Sequence, residues 1–175
     1  TCVPIHTNKI INTYIMHKLY KKIDNQLYYF EAFEKDEKTA VIHWGVVGEI
    51  GQYKELKSES FYDFNEILQK EIDKKLKEGY SEFNEDNYSF LEIEYVIEGF
   101  GTDDDLNKRL RLEEKIEDIL SATALGYADG GSTKRGTMEV GCLIVDFDIA
   151  KKVIEENLKN TEFGDYSKIV KTEDE

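Results

Sequence analysis

Apolar and polar positions along this chain follow two periods, and the switches between them outline its elements. Between residues 14 and 57 the pattern is that of strands. Leu27, Tyr29, Ala32 and Phe33 lie in an aromatic-rich run, 26–34, behind an Asp24-Asn25 turn. A polar turn at 35–38 precedes a β-branched, apolar run at 39–47. Gly48 and Gly51 bracket the next turn, and 52–57 reads as a fourth strand. The period then becomes helical: Phe61, Phe64, Leu68, Ile72 and Leu76 share one face, Ser60 can cap its start, and Gly79 can end it. Four short antiparallel strands cannot bury an apolar face alone, so this helix is expected to be their lid.

The acidic stretch 81–89 reads as a linker, and the pattern then starts afresh. Leu91, Ile93, Tyr95 and Ile97 alternate with Glu92, Glu94, Val96 and Glu98, the period of a strand. Thr102 and Asp103 to Asp105 suit a helix start, with Leu106, Leu110, Ile116, Ile119 and Leu120 as its apolar stripe. A short strand at 124–128, a Gly-rich turn at 129–136 and a strong strand at 137–145 follow. Asp146 or Asp148 caps a second helix, with Ile149, Val153, Ile154 and Leu158 inward, and 166–172 reads as a last strand. The order strand, helix, strand, strand, helix, strand is that of a ferredoxin-like βαββαβ domain. Right-handed crossovers would place both helices on one face of its sheet and leave the other face free. The expectation is an α+β chain of two small domains, 10–84 and 90–172.

Charge narrows the partners. The chain carries 37 acidic against 23 basic residues, a formal net charge of −14. Residues 1–88 hold 12 basic and 16 acidic side chains, and the remainder 11 and 21. The second domain is therefore the acidic one. Binding a phosphate backbone means replacing counterions with Lys and Arg, so this balance counts against non-specific nucleic-acid binding. It fits a protein partner with a basic surface, or ordinary solubility. Cys2 and Cys142 read as two free thiols in a reducing compartment. With no apolar segment long enough for a bilayer and no signal-peptide core, no membrane is expected and the expected location is the cytoplasm.

In the first half, His43-Trp44-Gly45-Val46-Val47-Gly48, then Gly51-Gln52, then a helix closing on Lys74-Lys75-Leu76-Lys77-Glu78-Gly79-Tyr80 carry a resemblance. In order and spacing these three elements resemble a WGR domain over roughly residues 14–83. The resemblance implies an antiparallel sheet with one helix. In poly(ADP-ribose) polymerases the WGR tryptophan packs against a DNA end, and the arginine helps signal between domains. Trp44 can carry the first role. Val46 stands where the signature has arginine, and valine forms no bidentate hydrogen bonds to carboxylate or phosphate. Through Asp129-Gly130-Gly131-Ser132, Gly136-Thr137-Met138-Glu139-Val140 and Asp146-Phe147-Asp148 the second half resembles a bacterial domain of unknown function, from which no site residue is carried over.

Each candidate residue has a plainer reading beside the functional one. Trp44, with His43 and Gln52 nearby, is either a stacking platform or partner anchor, or core packing under the helix. Lys70, Lys74, Lys75 and Lys77 form a basic stretch, but Glu66, Glu71, Asp73 and Glu78 lie among them at helical pair spacing, which suggests a self-neutralised face. Asp129-Gly130-Gly131-Ser132 lacks the Gly-Lys-Ser/Thr ending of a phosphate loop and reads as a hairpin turn, though Asp129 could hold an Arg or Lys of a partner. Glu92 and Glu94 share one strand face as a candidate acidic binding surface. Asp103 to Asp105 lack the ligand spacing of a calcium loop, and His6, His17 and His43 lack zinc spacing. No metal, cofactor or catalytic residue is expected. The leading expectation is a non-catalytic binding or adaptor protein for a basic protein partner, of which an immunity-type neutraliser of a basic effector is one version. The alternative is a nucleic-acid end-binding module acting through Trp44.

Overall fold

The computed structural model describes residues 16–36, 38–58 and 61–172. The first half supplies strands β1 (Met16–Ile23), β2 (Gln26–Asp36), β3 (Thr39–Val46) and β4 (Gln52–Lys57), helix α1 (Phe61–Lys77) and the two-residue strand β5 (Ser81–Glu82). The second supplies β6 (Ser89–Val96), α2 (Asp103–Ala122), β7 (Gly126–Lys134), β8 (Thr137–Ile144), α3 (Phe147–Leu158) and β9 (Lys168–Thr172). The strands form two separate antiparallel sheets, in the orders β4-β3-β2-β1-β5 and β7-β8-β6-β9.

The first sheet is a meander whose turns follow the sequence. Asp24, at φ 52°, closes the β1–β2 hairpin, where Ile23 faces Gln26. Alternation along β1 to β3 sends Leu19, Phe30, Ala32, Ala40 and Ile42 to one face, where Leu68 and Ile72 of α1 cover them. Each of the larger side chains, Leu19, Phe30, Ile42, Leu68 and Ile72, contributes about 1.5–3 kcal/mol on full burial. Gly79, at φ 90°, ends the helix as expected, with the Tyr80 amide donating to the Lys75 carbonyl. Leu76, expected inward, is 44% exposed, because the row drifts off the sheet in the last turn. Ser60 and the side chains of Phe61 and Phe64 lie outside the described residues.

The expected linker is structured. Ser81 and Glu82 pair with Tyr20 and Leu19 as β5, the side chain of Asn84 caps a short helical turn at Glu85–Asn87, and Phe83 packs edge-on against Tyr20 at 5.5 Å.

In the second half β6, α2, β7, β8, α3 and β9 follow the split βαβ order, with the first strand, β6, placed between β8 and β9. Thr102 and Asp105 form a reciprocal capping box at the start of α2, and Asp146 caps α3 through the Ile149 amide at 3.0 Å. Both helices pack on the face bearing Leu91, Ile93 and Tyr95. The buried stripe of α2 is Leu112, Ile116 and Leu120. Leu106 and Leu110, expected inward, are 44% and 51% exposed. The expected short strand and Gly-rich turn correct to one strand, β7, running on to Lys134. A bulge between Ala128 and Gly131 absorbs the extra residues, and Arg135-Gly136 alone makes the turn.

One apolar cluster draws on both halves, with Tyr20, Tyr29 and Val47 packing among the side chains of α2, β8 and α3. The Tyr20 hydroxyl donates to the Ala124 carbonyl at 3.1 Å, and the Gly48 amide donates to the Thr123 carbonyl at 3.0 Å. A Cβ on Gly48 would come within 2.5 Å of Ile149 Cγ2, so the turn before β4 can seat against α3 only as glycine. Among the described residues no helix is long and apolar enough to cross a membrane.

Candidate functional site

The sequence grouped Trp44, His43 and Gln52, and strand alternation divides them. Trp44 and Gln52 are cross-strand partners. Trp44 is half-buried beside Leu56 and Tyr80 against the cluster under α1, and Gln52 is exposed. His43, one residue earlier, takes part in a relay with Tyr29 and Glu31. Two of the expected ion pairs on α1 re-partner: Glu66 does meet Lys70, but Glu71 meets Lys54 and Glu78 meets Lys75. Within the basic stretch Lys70 and Lys75 have carboxylate partners, whereas among the described residues Lys74 and Lys77 are exposed and without an ion pair, so the stretch is only partly neutralised.

The relay runs from Tyr29 through His43 to Glu31. His43 Nδ1 lies 3.0 Å from a Glu31 carboxylate oxygen, and Nε2 lies 2.8 Å from the Tyr29 hydroxyl oxygen, so the ring bridges the two side chains. Lys18 adds an ion pair to Glu31 at 3.4 Å. Burial, then the charge of Glu31, raise the Tyr29 phenol above its ordinary range, while the Gly51 amide pulls the other way. The geometry has the form of a nucleophile–base–orienter chain, but Tyr29 is fully buried and cannot meet a substrate. The relay instead anchors the turn between β3 and β4. A Cβ on Gly45 would lie 3.2 Å from Tyr29 Cε1, and one on Gly51 would overlap the Tyr29 hydroxyl. Both motif glycines are thus the floor on which Tyr29 lies. The sequence placed Tyr29 only as a strand residue and passed over Glu31, since the sole signal of their joint role is a shared face two residues apart on β2.

Two clefts lie between the halves. One, about 420 Å³, is lined by Lys18, Glu31, His43 and the exposed Tyr53 from the first half and by Asp118 and Ser121 from α2. The other, about 480 Å³, holds Phe83, Tyr88 and Tyr127, whose rings form a chain with centroids 4.8 and 5.7 Å apart.

The second sheet turns Phe90, Glu92, Glu94 and Val96 of β6 away from its helices, next to Glu139 of β8. Carboxylate oxygens of Glu92, Glu94 and Glu139 all lie within 4.8 Å of one another, the one grouping among the described residues that could hold a metal ion. Two lysines already serve them: Lys134 reaches Glu139 at 2.9 Å, and Lys168 reaches Glu94 at 3.1 Å. Glu139 is 7% exposed and also accepts from Ser132 and Thr137. Burial pushes its pKa up, but the bonds from Lys134, Ser132 and Thr137 outweigh burial and hold it below the ordinary value. Phe90 lies flat across Gly141, where a side chain would collide with the ring. Asp129 sits exposed at the β7 bulge, with β8 between it and Glu92 and Glu94. The structure therefore brings Glu92 and Glu94 together, adds Glu139, and keeps Trp44, His43 and Asp129 apart from them.

Cys142 is buried under the helices, and burial, then the charges of Glu117 and Asp129, push its thiol up to about 12. Cys2 and His6 lie outside the described residues. No protein-family model, no curated protein and no solved structure matches this chain.

Proposed function

We propose that this chain is a non-catalytic binding protein that receives a basic protein partner on the free face of its second sheet. The observation that carries the reading is the uneven cover of the two sheets. α1 lies over one face of the first sheet, and the second half packs against part of the other. α2 and α3 cover one face of the second sheet, while among the described residues no element packs on the face of Phe90, Glu92, Glu94 and Val96. That face combines an aromatic ring, fixed carboxylates and a half of the chain with ten more acidic than basic residues. Such a surface steers a basic partner and gives it an apolar anchor. The WGR-like first half serves in this reading as scaffold.

Nucleic-acid end binding through Trp44 has less support. The indole is half-buried against the cluster under α1, and Lys54, Lys70 and Lys75 are each paired with a carboxylate, which leaves Lys74 and Lys77 as the exposed cations of that helix end. Two such lysines on a chain of net charge −14 are a weak footing for phosphate.

The test is capture from native lysate by wild type, by a Glu92→Lys/Glu94→Lys double variant and by Trp44→Ala. The expected outcome is a basic protein retained by wild type and by Trp44→Ala, and lost from the double variant. A captured set that ignores the face reversal, or nucleic acid whose retention depends on Trp44, would overturn the reading.

A further inference from the structure

Antiparallel sheets end in strands with unpaired backbone groups, and proteins guard these edges with charge or keep them very short. In this chain β5 has two residues, β4 carries Lys54, Glu55 and Lys57, and β9 carries Lys168 and Lys171. The remaining edge, β7, differs. Its straight segment beyond the bulge, 131–133, is Gly-Ser-Thr, uncharged and exposed. Beside it runs an apolar row: Phe100 is 75% exposed, Leu106 44% and Leu110, one helical turn further along α2, 51%. Phe100, Leu106, Gly131, Ser132 and Thr133 line one groove of about 520 Å³. A bare strand edge flanked by exposed apolar side chains is the signature of strand addition.

The charges on the strand select the occupant. Asp129 stands at one end, and Lys134 and Arg135 stand at the other, all exposed. Among the described residues Asp129 and Arg135 have no ion-pair partner. A twofold axis at Ser132 sets Gly131 opposite Thr133 of a second copy, and Asp129 opposite that copy's Arg135. The opposition occurs twice, since a twofold contact repeats each pair. Leu106 and Leu110 of the two α2 helices then approach each other along the same edge.

We propose that a second copy of this chain docks here, β7 against β7 antiparallel. The two second sheets join into one of eight strands, four from each copy. The pairing is short, because the bulge ends the straight segment, and the apolar row holds the pair as much as the ladder does. Asp103 and Glu114 border that row, so the association is weak and rises with concentration. This surface lies at the sheet edge and does not depend on the reading of the open face.

Sedimentation velocity on the full chain, from low micromolar to submillimolar concentration, tests the proposal, with circular dichroism to confirm folding. Wild type moves from monomer to dimer. Asp129→Arg and Arg135→Glu each weaken the dimer by about fivefold, as expected for two exposed ion pairs turned repulsive. The doubly exchanged chain, Asp129→Arg/Arg135→Glu, regains wild-type association. Leu110→Lys abolishes it. A monomer at every concentration overturns the proposal. So does a dimer indifferent to the single reversals, or a double exchange no better than either single.

Discussion

Replacing Gly51 with alanine tests the account of the β3–β4 turn most directly. The added methyl would sit 2.5 Å from the Trp44 carbonyl oxygen and 2.9 Å from Tyr29 Cζ, and would overlap the Tyr29 hydroxyl. The Trp44 backbone is fixed between Phe30 and Gln52 in the ladder, so the oxygen cannot yield. Forcing a methyl into such a site costs up to about 3 kcal/mol. Displacing Tyr29 strips His43 of its hydrogen-bond partner in a half-buried site, which adds about 1–2 kcal/mol. The expected loss is about 3–5 kcal/mol, a large part of the roughly 5–15 kcal/mol that holds a domain of this size. Gly45→Ala, whose methyl would stand 3.1 Å from Gly51 Cα and 3.2 Å from Tyr29 Cε1, costs less, about 1–2 kcal/mol. Tyr29→Phe alone costs about 1–3 kcal/mol. It also removes the hydroxyl that Gly51→Ala strikes, so the double variant should lose at least about 1 kcal/mol less than the summed single losses, beyond the usual additivity error. Urea unfolding followed by circular dichroism gives all four values from midpoints at constant slope. Strict additivity, or a Gly51→Ala loss below about 1 kcal/mol, would refute the placement of Tyr29 over the turn.

Three further outcomes follow from the same contacts. Because one apolar cluster includes Tyr20, Tyr29 and Val47 with the core of the second half, heat should unfold both sheets in a single transition. Tyr20→Phe, which strands the Ala124 carbonyl, should lower that transition by about 1–2 kcal/mol without splitting it, and two resolved transitions would contradict the shared core. The Glu139 pKa is depressed below its ordinary 4.5 on folding, so its network stabilises the chain above that pH and is lost as pH falls through the folded value. Glu139→Gln should flatten the stability profile on this acid side, and an unchanged profile would mean that Lys134, Ser132 and Thr137 do not hold the carboxylate. In a Cys2→Ser background, Cys142, buried and with its thiol pushed up to about 12, should resist a thiol reagent in the folded chain at neutral pH and react once urea unfolds it, whereas prompt native labelling would place it at the surface.

How far the sequence could be read depended on the range of the interaction. Strand alternation at Leu91, Ile93 and Tyr95, the Asp24 turn, the Gly79 stop and the Thr102 and Asp146 caps are set by residues a few positions apart, and the structure places them as the pattern implied. The failures came where local signals were overruled. The glycines at 130 and 131 read as a turn, yet Gly131 is needed inside a strand, where a Cβ would strike the Glu139 carbonyl carried by β8 and Glu113 of α2. Leu106 and Leu110 satisfied the helical period, but α2 overhangs the edge strand and turns them outward. The polar stretch at 81–89 looked like a linker because its ladder partner, β1, lies some sixty residues earlier.

By itself, then, the sequence determined most of the strands and all three long helices, where most of them begin and stop, and that the second half is the acidic one. Those properties follow from backbone preferences, capping and periodicity, which act within a turn or two of chain. Tertiary structure alone decided that His43 and Trp44 face opposite ways to different neighbours, that Glu139 joins Glu92 and Glu94, and that Tyr29 and Glu31 carry the turn. It also decided which sheet face and which strand edge stay uncovered. Those outcomes depend on how strands far apart in the chain come into register, and on where the helices come to rest across them.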